Sequence, residues 1–418
     1  MRKYDNYKDT GIEWLGRIPK HWDLVRLRYL CDISTGNKDT INKEIDGKYP
    51  FYVRSKTIEK ISTYSFDEEA ILTPGDGEIC KIWHYVTGKF ECHQRVYKLS
   101  DFNKINGKFL YYYLIENFDK DVFKLSAKST VDSLRRPMFQ NFFVSFGTIE
   151  EQTQIANYLD NKTNQIDSLI SKKQQFVNLL HEERIAFINQ AVTKGLDLNV
   201  PMKDSGIEWL GEIPKNWEIK KLKYVGNCQN GISEGAEFFG TGQPFVSYSD
   251  VYKNEILPKN VIGLANSNDK HQEHYSVQES DVFFTRTSET IEEIGIASIC
   301  YNTIDKAVFA GFLIRFRPNK ELLTKEFSKY YFRCFIPRTF FVKEMNLVTR
   351  ASLSQELLKR LPTLLPSINE QQRIAIFLDK KTSEIDVVIS KSKQEIELLK
   401  EYKTALISEV VTGKLDVR

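Results

Sequence analysis

The chain has 418 residues, with 59 Lys and Arg against 56 Asp and Glu, so the net charge is +3. That length suits two or three domains of roughly 150 residues each. So mild a basic excess argues against a uniformly basic nucleic-acid coat and leaves any polyanion-binding surface local. The six cysteines (Cys31, Cys80, Cys92, Cys228, Cys300, Cys334) lack paired short spacings, and no run approaches the roughly 18 apolar residues of a membrane span. The polar start "MRKYDNYKDT" has no apolar signal core, so a soluble protein of the reducing cytoplasm is predicted.

The first motif, "GIEWLGRIPKHW" from Gly11 to Trp22, returns as "GIEWLGEIPKNW" from Gly206 to Trp217 with two of twelve positions changed. A near-copy of that length is an internal repeat. Four of the five tryptophans fall in it (Trp14, Trp22, Trp209, Trp217), which predicts a buried clasp rather than a ligand site. The stretches that follow each copy resemble one another little. In the first, "YPFYVRSKTI", "GDGEICKIWHY" and "ECHQRVYKL" read as turns and strands carrying exposed donors; in the second, "QPFVSYSDV", "FFTRTSETIEEIG" and "AGFLIRFRP" read as their counterparts.

A second repeated pair follows: "EQTQIANYLDNKTNQIDSLI" from Glu151 and "EQQRIAIFLDKKTSEIDVVI" from Glu370, closed by "VTKGLD" at Val192 and "VTGKLD" at Val411. These copies are 219 residues apart and the leading motifs 195, so the 24-residue difference lies in the material between Trp22 and Glu151 or between Trp217 and Glu370. A 4-3 spacing picks out Leu159, Thr163, Ile166, Ile170, Lys173, Val177, Leu180, Arg184, Phe187 and Ala191. The same spacing picks out Leu378, Thr382, Ile385, Ile389, Ser392, Ile396, Leu399, Lys403, Leu406 and Val410. This pattern predicts two long helices with a coiled-coil seam. Each would run about 60 Å at 1.5 Å per residue. Neither stretch contains proline, and Gly195 and Gly413 are placed as stops.

Each stripe needs a partner, and the other copy is the economical one. An antiparallel pair with a variable domain at each end, a pseudo-twofold molecule, is predicted. The tail "VTGKLDVR" joined to the head "MRKYDNYKDTG" would recreate the junction "VTKGLDLNVPMKDSG", so the two termini should lie side by side.

Together, the "GIEWLG.IP..W" leads and the "EQ..IA..LD.KT..ID" helix starts resemble the specificity subunit of type I restriction-modification systems, over essentially the whole chain. The resemblance implies an α+β fold with two globular target recognition domains separated by two long antiparallel helices. It implies this division: 1–22 a leading motif, 23–148 the first recognition domain, 149–195 the first spacer helix, 196–217 a linker with the second leading motif, 218–367 the second recognition domain, and 368–414 the second spacer helix. Each domain would read one half of a bipartite double-stranded DNA target. The helices would dock two methyltransferase subunits, with restriction subunits joining where present. No cofactor is expected in this chain: S-adenosylmethionine belongs to the methyltransferase, and ATP and Mg to a restriction subunit.

Arginine offers a fork to guanine and glutamine to adenine, carboxylates accept from cytosine, and lysine and hydroxyls chiefly hold phosphates. The segments "AKSTVDSLRRPMFQNFFVSF" and "TRASLSQELLKRLPTLLP" leading into the helices add further polar groups. The candidate DNA-binding residues of the first domain are Arg54, Lys56, Lys81, His93, Gln94, Arg95, Ser129, Thr130, Arg135 and Arg136. Those of the second are Tyr248, Arg286, Thr287, Ser288, Glu289, Arg350 and Ser352.

Catalytic signatures are weak or missing. "FFGTG" (Phe238 to Gly242) matches an F-x-G-x-G cofactor loop, but proline follows where a helix should begin, and no Asn-Pro-Pro-Tyr or Asp-Pro-Pro-Tyr tetrapeptide occurs to hold a flipped adenine. No G-x-x-x-x-G-K-[ST] loop is present. "PGDGEICK" lacks E-x-K spacing, and Cys80, His84, Cys92 and His93 lack zinc-ligand spacing. A non-catalytic DNA-recognition subunit is therefore expected. The rivals are a self-contained DNA methyltransferase or nuclease, and a coiled-coil scaffold with no nucleic-acid role.

Overall fold

The structure is a computed structural model that describes residues 2–122, 133–197, 199–288, 293–344 and 351–418. The chain forms two compact units, residues 1–175 with 392–418, and residues 176–391. The boundary cuts both long helices, Ile149–Lys194 and Ile368–Val411.

In the first unit the leading motif forms the antiparallel pair Tyr7–Asp9 and Arg17–Pro19. The chain then enters a six-stranded sheet in the order Asp32–Thr35, Val96–Ser100, Phe66–Pro74, His84–Cys92, Tyr49–Tyr52, Glu59–Ile61. All its pairings are antiparallel except Tyr49–Tyr52 against His84–Cys92. Along Phe66–Pro74 burial alternates over the first residues and is complete over the last five, as a strand does when it runs from a half-solvated edge into the core. The helix Gly107–Val122 covers the sheet with Phe109, Leu110, Tyr113 and Phe118, all fully buried.

The second unit repeats this plan with different side chains. Its leading motif pairs Met202–Asp204 with Glu212–Pro214. One sheet runs Gly226–Asn230, Leu313–Pro318, Val282–Thr285, Ala297–Ile299; another runs Leu264–Ala265, Phe239–Val246, Val308–Phe309, the last pairing again parallel. Strand His84–Cys92 of the first unit is thus represented by two shorter strands. Most of the additional length lies between Val246 and Val282, which carries the short helices Tyr248–Lys253 and Asp269–His274.

Every position of the two predicted stripes is buried or half-buried. In the first unit Ile155, Leu159 and Ile166 share a core with Leu406, Ile407 and Val410. In the second, Val177 and Leu180 pack with Ile385 and Ile389. Within each unit the helices run antiparallel, as ion pairs show. Lys403 reaches Asp167 at 2.7 Å and Lys173 pairs with Glu395 in the first unit. Arg184 lies 3.6 Å from Asp386 in the second. The basic interruptions of the stripe thus each meet a carboxylate on the other helix.

Both helices begin alike. Thr148 and Ser367 accept the N–H of Glu151 and Glu370 at 3.3 Å. The next residue is a buried clamp: Gln152 accepts the Asn106 N–H at 2.7 Å and donates to Lys104 O and Gly147 O. Gln371 does the same with the Thr324 N–H at 2.9 Å, Leu322 O and Pro366 O. Glu151 also receives Tyr4 Oη at 2.7 Å and lies 3.0 Å from His21 Nε2. Of the four tryptophans expected to be buried, Trp22 and Trp217 are completely buried and Trp14 and Trp209 are half-buried. The termini meet: Arg2 and Asp416 form a β-bridge, with the Asp416 N–H 2.8 Å from Arg2 O.

Candidate nucleic-acid interface

In the first unit the described candidate residues lie on turns of the six-stranded sheet and on the segment after residue 132. Asp76 organises them. Arg95 Nη1 donates to Asp76 Oδ2 at 2.9 Å and Arg54 Nη1 to Asp76 Oδ1 at 3.2 Å. Burial would push the Asp76 carboxyl up, but the hydrogen bonds and charges of Arg95 and Arg54 outweigh it, and the group lies below the usual carboxylate range. Both guanidiniums keep other N–H groups and are exposed, Arg95 at 62% and Arg54 at 44%. Gln94 is exposed and donates to Asp39 Oδ2 at 2.8 Å.

The segment after residue 132 joins this cluster through a bridge between Asp76 and Ser133 and a Leu134 N–H to Gly75 O bond of 2.7 Å. It carries Arg135 and Arg136, exposed at the start of the short helix Arg136–Asn141. Lys56 and Lys81 are exposed on the 53–58 and 75–82 turns.

His93 departs from the expectation of an exposed donor. It is 2% exposed, its Nδ1 accepts the Arg95 N–H at 3.0 Å, and its Nε2 lies 3.8 Å from Asp39. Burial first, and the Arg54 charge second, lower its pKa. A neutral imidazole beneath the surface positions Arg95 and does not itself reach outward. Ser129 and Thr130 lie outside the described residues.

In the second unit, strand Thr287–Ser288 pairs with Ala351–Ser352, which brings Thr287 opposite the exposed Ser352. Tyr248 Oη donates to Thr287 O at 3.0 Å. Arg286 is half-buried, with its N–H 2.9 Å from Phe312 O and its Nη1 3.5 Å from Gly311 O. Glu289 and Arg350 lie outside the described residues.

The two clusters share one backbone frame. The Gly75 N–H reaches Arg95 O at 2.8 Å as the Arg286 N–H reaches Phe312 O. Leu134 N–H reaches Gly75 O at 2.7 Å as Leu353 N–H reaches Arg286 O at 2.7 Å. His93 N–H reaches Tyr52 O at 2.9 Å as Ala310 N–H reaches Val246 O at 3.0 Å. The bridge between Asp76 and Ser133 matches the pairing of Thr287 with Ser352. Equivalent backbone positions therefore carry unrelated side chains: Asp76 and Thr287, Arg95 and Phe312. Residue-type reasoning passed over Asp76, which sat inside a glycine-rich turn, and Phe312, which offers no hydrogen bond; only strand register brings them in.

"FFGTG" is not a cofactor loop. Phe239–Val246 is a strand with a register shift against Leu264–Ala265, Gly240 and Gly242 both have φ of +101°, and a Cβ on Gly242 would stand 2.5 Å from Ala265 O. These glycines serve an irregular strand edge. None of the six cysteines is in a disulfide. Among the described residues, no helix is long and apolar enough to cross a membrane.

The family profile described as "Type I restriction modification DNA specificity domain" matches residues 19–178 and 214–398. The type I restriction enzyme EcoDI specificity subunit of Escherichia coli is 28% identical over 241 residues, covering 54% of this chain and about half, 53%, of that protein. The MjaVIII specificity subunit of Methanocaldococcus jannaschii is 23% identical over 436 residues, covering 100% of this chain and 97% of that one. Among solved structures, a chain from work on assembly and conformational transition of the type I R-M system aligns with a TM-score of 0.68 at 14% identity, covering 95% of this chain and 99% of that one. The HsdS subunit from Thermoanaerobacter tengcongensis aligns with a TM-score of 0.56 at 13% identity, covering 95% and 98%. With both halves matched by the same profile and the fold shared along nearly its full length, this chain belongs to the type I restriction-modification DNA specificity family.

Proposed function

We propose that the chain is the non-catalytic DNA-reading subunit of a type I complex. Residues 23–148 and 218–367 each read one half of a split target. Residues 149–195 and 368–414 form the spacer on which two methyltransferase subunits dock, and 1–22 and 196–217 clasp each domain to that spacer. The observation that carries this reading is the pair of matched backbone frames bearing different exposed side chains. One scaffold used twice with unrelated surface groups suits two unrelated half-sites, because base edges are distinguished by donor and acceptor pattern.

Recognition is then a matter of geometry. Arg54, Gln94, Arg95, Arg135 and Arg136 in the first domain, and Tyr248, Arg286, Thr287 and Ser352 in the second, contact base edges or phosphates. Lys56, Lys81, Ser129, Thr130, Ser288, Glu289 and Arg350 are assigned the same DNA-binding role, with His93 as a support beneath Arg95. Half-sites about one helical turn apart, roughly 10 base pairs, would present the same side of the duplex to both domains. The methyltransferase supplies S-adenosylmethionine chemistry, and a restriction subunit, where present, supplies ATP and Mg. The reaction takes place where the cell's DNA is, in the cytoplasm.

The test is a map of adenine methylation in cells expressing this chain with its cognate methyltransferase, beside cells expressing the methyltransferase alone. A split motif that requires both is the expected result. Identical methylation without this chain would leave the scaffold reading in place.

A further inference from the structure

Phe312 is 64% exposed, an apolar ring on the turn whose carbonyl receives the Arg286 N–H. The turn that carries it is held by hydrogen bonds at three neighbouring residues. Phe312 O accepts the Arg286 N–H at 2.9 Å, Gly311 O accepts Arg286 Nη1 at 3.5 Å, and the Leu313 N–H closes the turn onto Ala310 O at 3.0 Å. The turn is also seated tightly: a Cβ on Gly311 would meet Ser233 Oγ at 2.1 Å, and one on Gly231 would meet Ala310 O at 2.1 Å. The ring is therefore presented by a rigid support. In the first unit the same backbone position, defined by the Gly75 N–H to Arg95 O bond, carries Arg95.

A phenylalanine cannot donate to a base edge or hold a phosphate. If this end of the domain faces the major groove, as reading all four base pairs requires, one apolar group on the base edges is available to it: the 5-methyl of thymine. We infer that Phe312 is a specificity-determining residue of the second domain, packing its ring against a thymine methyl at the place where the first domain presents Arg95. This rests on the DNA-reading function proposed above. The neighbouring chain fits the assignment: Arg286, which bonds the Phe312 and Gly311 carbonyls, leads into Thr287, which meets Tyr248 and Ser352, so groups able to fix flanking bases and phosphates follow directly and the ring is left to discriminate by shape and desolvation.

The experiment uses the full chain in complex with its methyltransferase, on duplexes in which each thymine of the split motif is replaced in turn by deoxyuridine, which lacks the methyl. With the wild-type chain, one position in one half-site should slow methylation by roughly three- to tenfold, the scale expected for loss of one buried methyl contact. Phe312→Ala should abolish that thymine preference and leave the other half-site unchanged, and Phe312→Leu should restore part of it. The ring is on the surface, so the melting temperature of Phe312→Ala should match wild type.

Three results would overturn the inference: no thymine position is sensitive, the preference persists in Phe312→Ala, or Phe312→Ala fails to assemble with the methyltransferase, which would make the ring a protein contact. A rise in 2-aminopurine fluorescence that depends on Phe312 would replace methyl contact with base unstacking and overturn it equally. If methylation does not depend on this chain at all, the proposed function fails instead, and the control lacking the chain reveals it.

Discussion

Arg54 and Arg95 share one carboxylate, and that sharing determines how much of each fork is left for DNA. Asp76 occupies one nitrogen of each arginine and holds the pair in place, as preorganised recognition requires. Replacing Arg95 with alanine should relax the first half of the target at one position, at a cost of about 1–3 kcal/mol in discrimination. The second half should be unaffected. Methylation mapping reads this directly. A uniform loss across all sequences, with the salt dependence reduced by about one phosphate, would make Arg95 a backbone contact.

A second residue-scale effect lies in the helix Gly107–Val122. Burial, reinforced by Asp119 and only partly opposed by Lys120 and Lys403, raises the Glu116 carboxyl from 4.5 to about 7. The folded state therefore binds a proton that the unfolded chain releases more readily. The stability this confers is complete below pH 4.5 and is lost as pH rises to about 7. Glu116→Gln should melt higher than wild type at pH 8, and the difference should vanish near pH 4.5. Equal melting curves at pH 8 would contradict the assignment.

At the scale of elements, the helix stops carry the next expectation. Gly195 and Gly413 both have positive φ, +76° and +70°, which a side chain adopts only under strain. Their surroundings differ. A Cβ on Gly195 would meet its nearest atom, Glu370 Oε1, at 3.2 Å, whereas one on Gly413 would sit 2.4 Å from Pro19 Cδ. Gly195→Ala should cost about 1–2 kcal/mol from conformation alone, and Gly413→Ala clearly more, because the leading motif must move. Denaturant midpoints of the two variants should rank in that order.

These long helices were legible in the sequence because a 4-3 stripe with no proline has one reading, and the repeat doubled the signal. In the variable regions the paired segments were legible, "YPFYVRSKTI" with "QPFVSYSDV" and "ECHQRVYKL" with "AGFLIRFRP", but the residue-by-residue match was not. Their strands are short, several are buried on both faces, and their common plan is written in register and burial. No shared residue marks Arg95 as the counterpart of Phe312, because the frame is set by backbone hydrogen bonds that any side chain permits. For the same reason His93 read as a surface donor: its neighbours Gln94 and Arg95 are exposed, and period-2 alternation fails inside a turn.

At the scale of the whole molecule, the chain is one plan executed twice. Each unit has its own leading motif, its own sheets and its own share of both long helices. The first unit is completed by the tail of the chain, since Arg2 bridges Asp416 and Arg418 lies 3.9 Å from Glu151. Recognition assigned to separate units should be separable. The decisive measurement is therefore a methylation map after residues 23–148 are replaced by another recognition domain, with 218–367 untouched. One half of the split motif should change while the other half stays as it was. A change in both halves, or in neither, would contradict one half-site per domain.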